Sequence, residues 1–197
     1  MRGMVWMLVG MASWVLGAST VAAQQKIDLR TAEGVEAVKG EWRYSDVKLV
    51  ETAATNPDAN GAKGYTIEPK AHRADYDDGA WEVVEPASLA KPRAAGRVCF
   101  NWYRIKVTIP ESANGKKVFF QAISDDYGEV WVDGKLPRKL GQSGGAVVAG
   151  FNAPNRVELM DARPGKVYQV AIFGMNGPIS AMPSNAIFLR EAVLEIQ

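Results

Sequence analysis

The chain has 197 residues, with 23 basic and 22 acidic side chains, one histidine and one cysteine. That length suits one domain that buries roughly 70% of its unfolded surface without staples. A near-neutral charge with no basic run argues against nucleic acid or polyanion binding, and a lone cysteine excludes an internal disulfide.

The first segment reads as a leader. Arg2 supplies a positive start, Met4 to Leu16 is apolar and uncharged, and Val21-Ala22-Ala23 offers small residues to a signal peptidase. The apolar run falls short of the roughly 20 residues of a membrane span. The expectation is cleavage after Ala23 and export to the periplasm or beyond, with residues 24–197 as a single domain that has no membrane association after cleavage. Loss of Arg2 leaves acids and bases balanced.

Thr31 to Lys39 is a short helix candidate, with Thr31 as cap, Glu33 in the first turn and Gly40 as its end. Strands are expected at Trp42 to Val50, near Tyr65 to Ile67, and near Trp81 to Val84. The longest run is Val98 to Ile109. Within it Tyr103, Ile105, Val107 and Ile109 alternate with Trp102, Arg104, Lys106 and Thr108, the period of a half-buried antiparallel strand. Pro110 ends it, and Asn114-Gly115 supplies a hairpin-type turn. Val118 to Ser124 and Glu129 to Asp133 follow, the latter closed by Asp133-Gly134. Arg156 to Met160, Val167 to Phe173 and Ile187 to Ile196 complete the set. Clusters of Gly, Pro, Asn and Asp separate these runs, at Asn56 to Gly64, Pro86 to Gly96, Gly141 to Gly145, Gly150 to Asn155 and Asn176 to Asn185. Many short strands and almost no helix predict an all-β sandwich. Cys99 sits in an apolar strand and reads as a small buried hydrophobe.

Motifs for catalysis are incomplete. Gly141-Gln142-Ser143-Gly144-Gly145 matches the nucleophile-elbow pattern, but a strand-like run follows it and the only histidine, His72, lies upstream. Asp125 and Asp126 are adjacent, so in a strand they point to opposite faces and cannot converge on one bond. Asn56-Pro57-Asp58-Ala59-Asn60-Gly61 resembles the start of a calcium loop, but Asn takes the first ligand position and Glu68 falls one residue late. One histidine and one cysteine argue against zinc. A small hydrolase using Ser143 or Asp126 is therefore the least favoured alternative.

Three segments carry a family resemblance. Asp77-Asp78-Gly79-Ala80-Trp81, running to Pro86, is similar to a "D-D-x-x-W-x-x-V-x-x-P" pattern. Trp102-Tyr103-Arg104, running to Pro110, is similar to "W-Y-R…P". Asp126-Tyr127-Gly128-Glu129-Val130-Trp131-Val132-Asp133-Gly134 is similar to "D-Y-x-x-V-x-V-N-G". In this order they resemble the galactose-binding-domain-like jelly roll that precedes the catalytic barrel in family 2 glycoside hydrolases and occurs in carbohydrate-binding modules. Pro164-Gly165-Lys166 before an apolar strand extends the likeness. The Gly141 to Arg156 and Phe173 to Pro178 segments also look like an accessory domain found beside some bacterial gluconolactonase-like propellers. The resemblance implies a jelly-roll β-sandwich without chemistry of its own. It also implies a possible structural calcium, for which Glu41 and Glu195 are the only suggestions.

The expected function is a non-catalytic module that binds carbohydrate. The expected ligand face is Trp131 and Glu129 on one strand face with Tyr127 and Asp126 at its start. Gln142, Asn152, Asn155 and Asn176 are expected as amides on nearby loops. Rings cover the C–H face of a sugar, and carboxylates and amides take its hydroxyls. The alternative is an interaction domain that docks a separate exported enzyme, such as a lactonase-like propeller.

Overall fold

The computed structural model describes residues 24–53, 63–96, 99–125, 127–137, 148–149, 153–176 and 185–197. The leader, the Asn56 to Gly61 segment, Asp126, Gln142, Ser143 and Asn152 lie outside them.

Two antiparallel sheets enclose the core. The first has the order β1 (Gln25–Asp28), β14 (Leu189–Ile196), β8 (Val118–Ser124), β11 (Asn155–Glu158). The second has the order β10 (Val148–Ala149), β9 (Tyr127–Val132), β12 (Val167–Asn176), β7 (Cys99–Thr108), β2 (Trp42–Asp46), β5 (Glu82–Val84). Two ribbons flank them, β3 (Lys48–Ala53) with β4 (Lys63–Glu68), and β6 (Arg93–Gly96) with β13 (Asn185–Ile187). This is the all-β sandwich expected from the strand pattern. Its inner layer is built by period-two alternation. Val130, Ile172, Tyr103 and Tyr44 form one row across the second sheet, and Phe120, Ala122, Ala192 and Leu194 meet them from the first.

The helix α1 (Ala32–Ala37) is capped by Thr31, whose Oγ1 accepts from Gly34 N at 3.0 Å. Its left-handed residue is Lys39 (φ 51°), not the expected Gly40. Gly40 is needed for proximity instead, because a Cβ there would lie 2.8 Å from Ile105 Cδ1 and 2.9 Å from Lys106 O of β7.

Several element boundaries differ from the sequence reading, and two of the differences shape the second sheet and its edge. The expected strand from Trp42 to Val50 breaks at Val47, which is buried and donates its N–H to Phe100 O at 3.0 Å. The chain leaves the second sheet there and starts the β3–β4 ribbon. Pro86 to Gly96, expected as loop, contains a 3-10 turn at Pro86–Ala90 that buries Leu89, followed by β6.

The strand β7 is buried on both faces rather than one, with Trp102 and Arg104 each 1% exposed on the side away from the core. Residues 69–81 cause this by crossing the outer face of the second sheet. Arg104 holds them there. Its Nε donates to Asp78 Oδ2 at 2.7 Å, and Nη1 donates to the carbonyls of Ala71 and Arg73, the latter at 2.9 Å. Nη2 donates to Tyr76 O at 3.3 Å. A planar guanidinium with five donors can meet one carboxylate and several carbonyls at once, which an ammonium cannot do. Two of the sequence motifs thus exist for each other, since Asp78 of the first neutralises Arg104 of the second. The third motif ends in a tight turn, with Asp133 at φ 48° and Gly134 at φ 76°.

Candidate functional site

Alternation along β9 sends Tyr127, Glu129 and Trp131 to the outer face of the second sheet, while Gly128, Val130 and Val132 face inward. The register places Trp131 opposite Ala171, Glu129 opposite Phe173 and Tyr127 opposite Met175 on β12. Phe100 and Trp102 of β7 continue the surface. The result is an aromatic layer in which Trp102 meets Phe173 at 5.0 Å and Phe100 stacks on Phe173 at 5.9 Å. Trp102 and Phe173 are buried, whereas Tyr127, Trp131, Phe100 and Met175 remain partly exposed.

Glu129 orders the exposed part. The Tyr127 hydroxyl donates to its Oε1 at 3.0 Å, and the Trp131 indole N–H donates to its Oε2 at 3.0 Å. One carboxylate therefore fixes both ring planes. A carboxylate offers about four acceptor positions, so capacity remains for a ligand hydroxyl. His72, carried by the crossing segment, packs on Trp131 with ring centroids 4.6 Å apart. Burial, then the positive Arg73 and Lys70, lower the His72 pKa against the opposing pull of Glu129. The shift favours the neutral imidazole, which packs against Trp131 as an aromatic neighbour.

The other expected site residues divide. Asn155 opens β11 and is 1% exposed, and Asn176 closes β12 and is 4% exposed. Both face the core, not a loop surface, which corrects their expected placement. Asn155 fills space left by a glycine, its Nδ2 lying 3.1 Å from where a Cβ on Gly128 would stand. The Asn176 amide donates to Ala186 O at 2.6 Å. Glu41 precedes β2 of the second sheet, Glu195 lies on β14 of the first, and they do not converge. Glu41 pairs with Arg43, and Glu195 is held between Lys26 at 2.9 Å and Arg156 at 2.8 Å. Their carboxylates serve as ion-pair partners, and no cluster of three or more metal-ligating side chains occurs among the described residues. Asp125 is ion-paired to Arg190 at 2.9 Å.

Sequence reasoning missed two features. One is His72, whose contact with Trp131 joins segments far apart in the chain. The other is an open cleft of about 610 Å³ beside the crossing segment, lined by Ser45, Asp46, Lys48, Glu68, Pro69, Lys70 and Tyr76. Its walls come from β2, the β3–β4 ribbon and residues 69–76, so no local sequence pattern announces it.

No family model and no curated protein sequence matches the chain. Solved structures do. The chain is similar to Bacteroides uniformis β-glucuronidase 2 covalently bound to cyclophellitol-6-carboxylate aziridine, at 14% identity and a TM-score of 0.51, over 88% of this chain and 18% of that one. A second structure of Bacteroides uniformis β-glucuronidase gives the same values. Faecalibacterium prausnitzii β-glucuronidase aligns over 92% of this chain and 32% of its own, at 15% identity and a TM-score of 0.44. At such identities the likeness is one of fold. The chain has a jelly-roll sandwich similar to the sugar-binding domain of family 2 glycoside hydrolases. It spans 18% of the length of the Bacteroides uniformis enzyme.

Proposed function

We propose that this chain is an exported, non-catalytic module that binds carbohydrate reversibly on the outer face of its second sheet. The observation that carries the reading is the Glu129 carboxylate fixed between the Tyr127 hydroxyl and the Trp131 indole. Two partly exposed rings with a carboxylate between them offer what a pyranose needs. The rings take its apolar C–H face, and the free acceptor positions take its hydroxyls. Because the rings are already held, little side-chain freedom is lost on binding. A fold that forms one part of longer glycoside-processing enzymes supports the same reading.

The test is a glycan array followed by calorimetry on the best neutral glycan. Trp131→Ala is expected to weaken binding by more than about tenfold, as for an aromatic anchor, with a cooperative melt retained. Binding to no glycan, or unchanged affinity in the variant, overturns the proposal. A second reading is favoured by the likeness to one segment of a much longer enzyme. In it the chain docks a separate exported enzyme, which predicts a discrete complex when the protein is purified from its native source.

A further inference from the structure

The rings of the aromatic face have spent their own donors. The Tyr127 hydroxyl and the Trp131 indole N–H both donate to Glu129. The Trp102 indole N–H donates to Pro69 O at 2.8 Å. Phe100, Phe173 and Met175 carry no side-chain donor at all. What Glu129 still offers a ligand is acceptor capacity. A sugar hydroxyl both donates and accepts, so a face of acceptors meets only half of its needs.

His72 holds the other half. Its ring centroid lies 4.6 Å from that of Trp131 and 6.4 Å from that of Trp102. It makes no hydrogen bond among the described residues, and neither ring nitrogen is a buried atom without a partner. Both nitrogens therefore reach solvent, beside a Trp131 ring that is itself partly exposed. A neutral imidazole offers one donor and one acceptor. The backbone that carries it is fixed on both sides, because Arg104 donates to the carbonyls of Ala71 and Arg73. Packing on Trp131 alone would be met by a phenyl ring. Here the neighbours are tied down while the polar atoms of the imidazole stay uncommitted.

We propose that His72 is a ligand-contacting residue of the carbohydrate face, its ring N–H donating to a sugar oxygen seated against Trp131. The inference rests on the carbohydrate reading above and adds a selection to it. A ligand must present a hydroxyl donor to Glu129 and an oxygen acceptor to His72, as a neutral polyhydroxylated ring does and a purely apolar ring does not.

The contact also makes binding sensitive to pH. Burial, then Arg73 and Lys70 of its own segment and Arg104 of β7, disfavour the charged imidazole, and Glu129 of β9 opposes them. A seated sugar removes more water from the ring and so binds the neutral form better. Affinity is full above the ordinary histidine value of 6.5 and falls as pH drops through the lower folded-state value.

His72 is the single histidine of the chain, so its imidazole NMR signals in the untagged protein need no assignment. Cellotetraose, mannotetraose and xylotetraose are titrated separately, with calorimetry repeated from about pH 8 to pH 5. At least one is expected to bind and to shift the imidazole signals. His72→Phe keeps a ring on Trp131 and is expected to lose about fivefold in affinity, the worth of one neutral hydrogen bond. Its remaining binding should lose the pH dependence centred on His72, with the thermal melt unchanged. His72→Gln restores a donor that does not titrate, so it should recover affinity without that dependence. Binding with unmoved imidazole signals, or unchanged affinity and pH profile in His72→Phe, overturns the role of His72 alone. Binding of none of the three, and of no glycan on the array, overturns the carbohydrate face and this inference with it.

Discussion

The outer faces of the two sheets are made from the same strand alternation and do opposite things. On the first sheet the outward positions hold a grid of charges. Lys26 and Arg156 flank Glu195, Arg156 lies 3.5 Å over the Phe119 ring, and Lys117 approaches Glu158 at 3.5 Å. The Phe119 ring there is covered by Arg156. On the second sheet the outward positions hold Tyr127, Trp131, Phe173, Met175, Phe100 and Trp102, and a crossing segment covers only part of them. A solvated face needs no such rings. Rings left in contact with water and ordered by one carboxylate are the feature on which the proposed carbohydrate binding rests.

The largest expected effect breaks that difference at its root. Arg104→Ala leaves Asp78 and three backbone carbonyls without their donor, and removing one partner of a buried pair costs about 3–5 kcal/mol. Urea unfolding should show this loss, with tryptophan fluorescence changing as the crossing segment leaves Trp102. Next, Glu129→Ala should free both exposed rings while leaving the core intact. Glycan affinity is expected to fall by about tenfold, with the melting temperature nearly unchanged. The smallest effect belongs to the charged face. Burial pushes the Glu195 carboxyl up, but hydrogen bonds from Lys26 and Arg156 outweigh it and hold the pKa below the ordinary 4.5. Its stabilisation is therefore complete above pH 4.5 and fades as pH falls through the lower folded value. Glu195→Gln should flatten the acid side of the stability curve, and glycan binding at neutral pH should not change.

Much of this was readable before any coordinates. The period of two placed β7 and β8 within one residue and β9 within two. The i, i+2 spacing of Tyr127, Glu129 and Trp131 put them on one face, where the structure keeps them. The alternation puts Arg104 on the outward side of β7, but it does not reveal its partner, because Asp78 is 26 residues away. The break at Val47 carried no Gly or Pro to announce it, since the chain changes sheets by burying a valine. Asn155 and Asn176 misled for the opposite reason. Asparagine favours turns, so both read in sequence as loop amides. Here one fills space beside Gly128 and the other caps a ribbon carbonyl inside the sandwich. His72 had no local signal at all, because its aromatic partner lies 59 positions later.

The Arg104 clamp also sets the kinetics expected of the proposed glycan binding. A segment fixed through Asp78, Ala71, Arg73 and Tyr76 to one buried guanidinium has no open form to wait for. The observed association rate should then rise in proportion to glycan concentration, without the plateau that a slow closing step imposes.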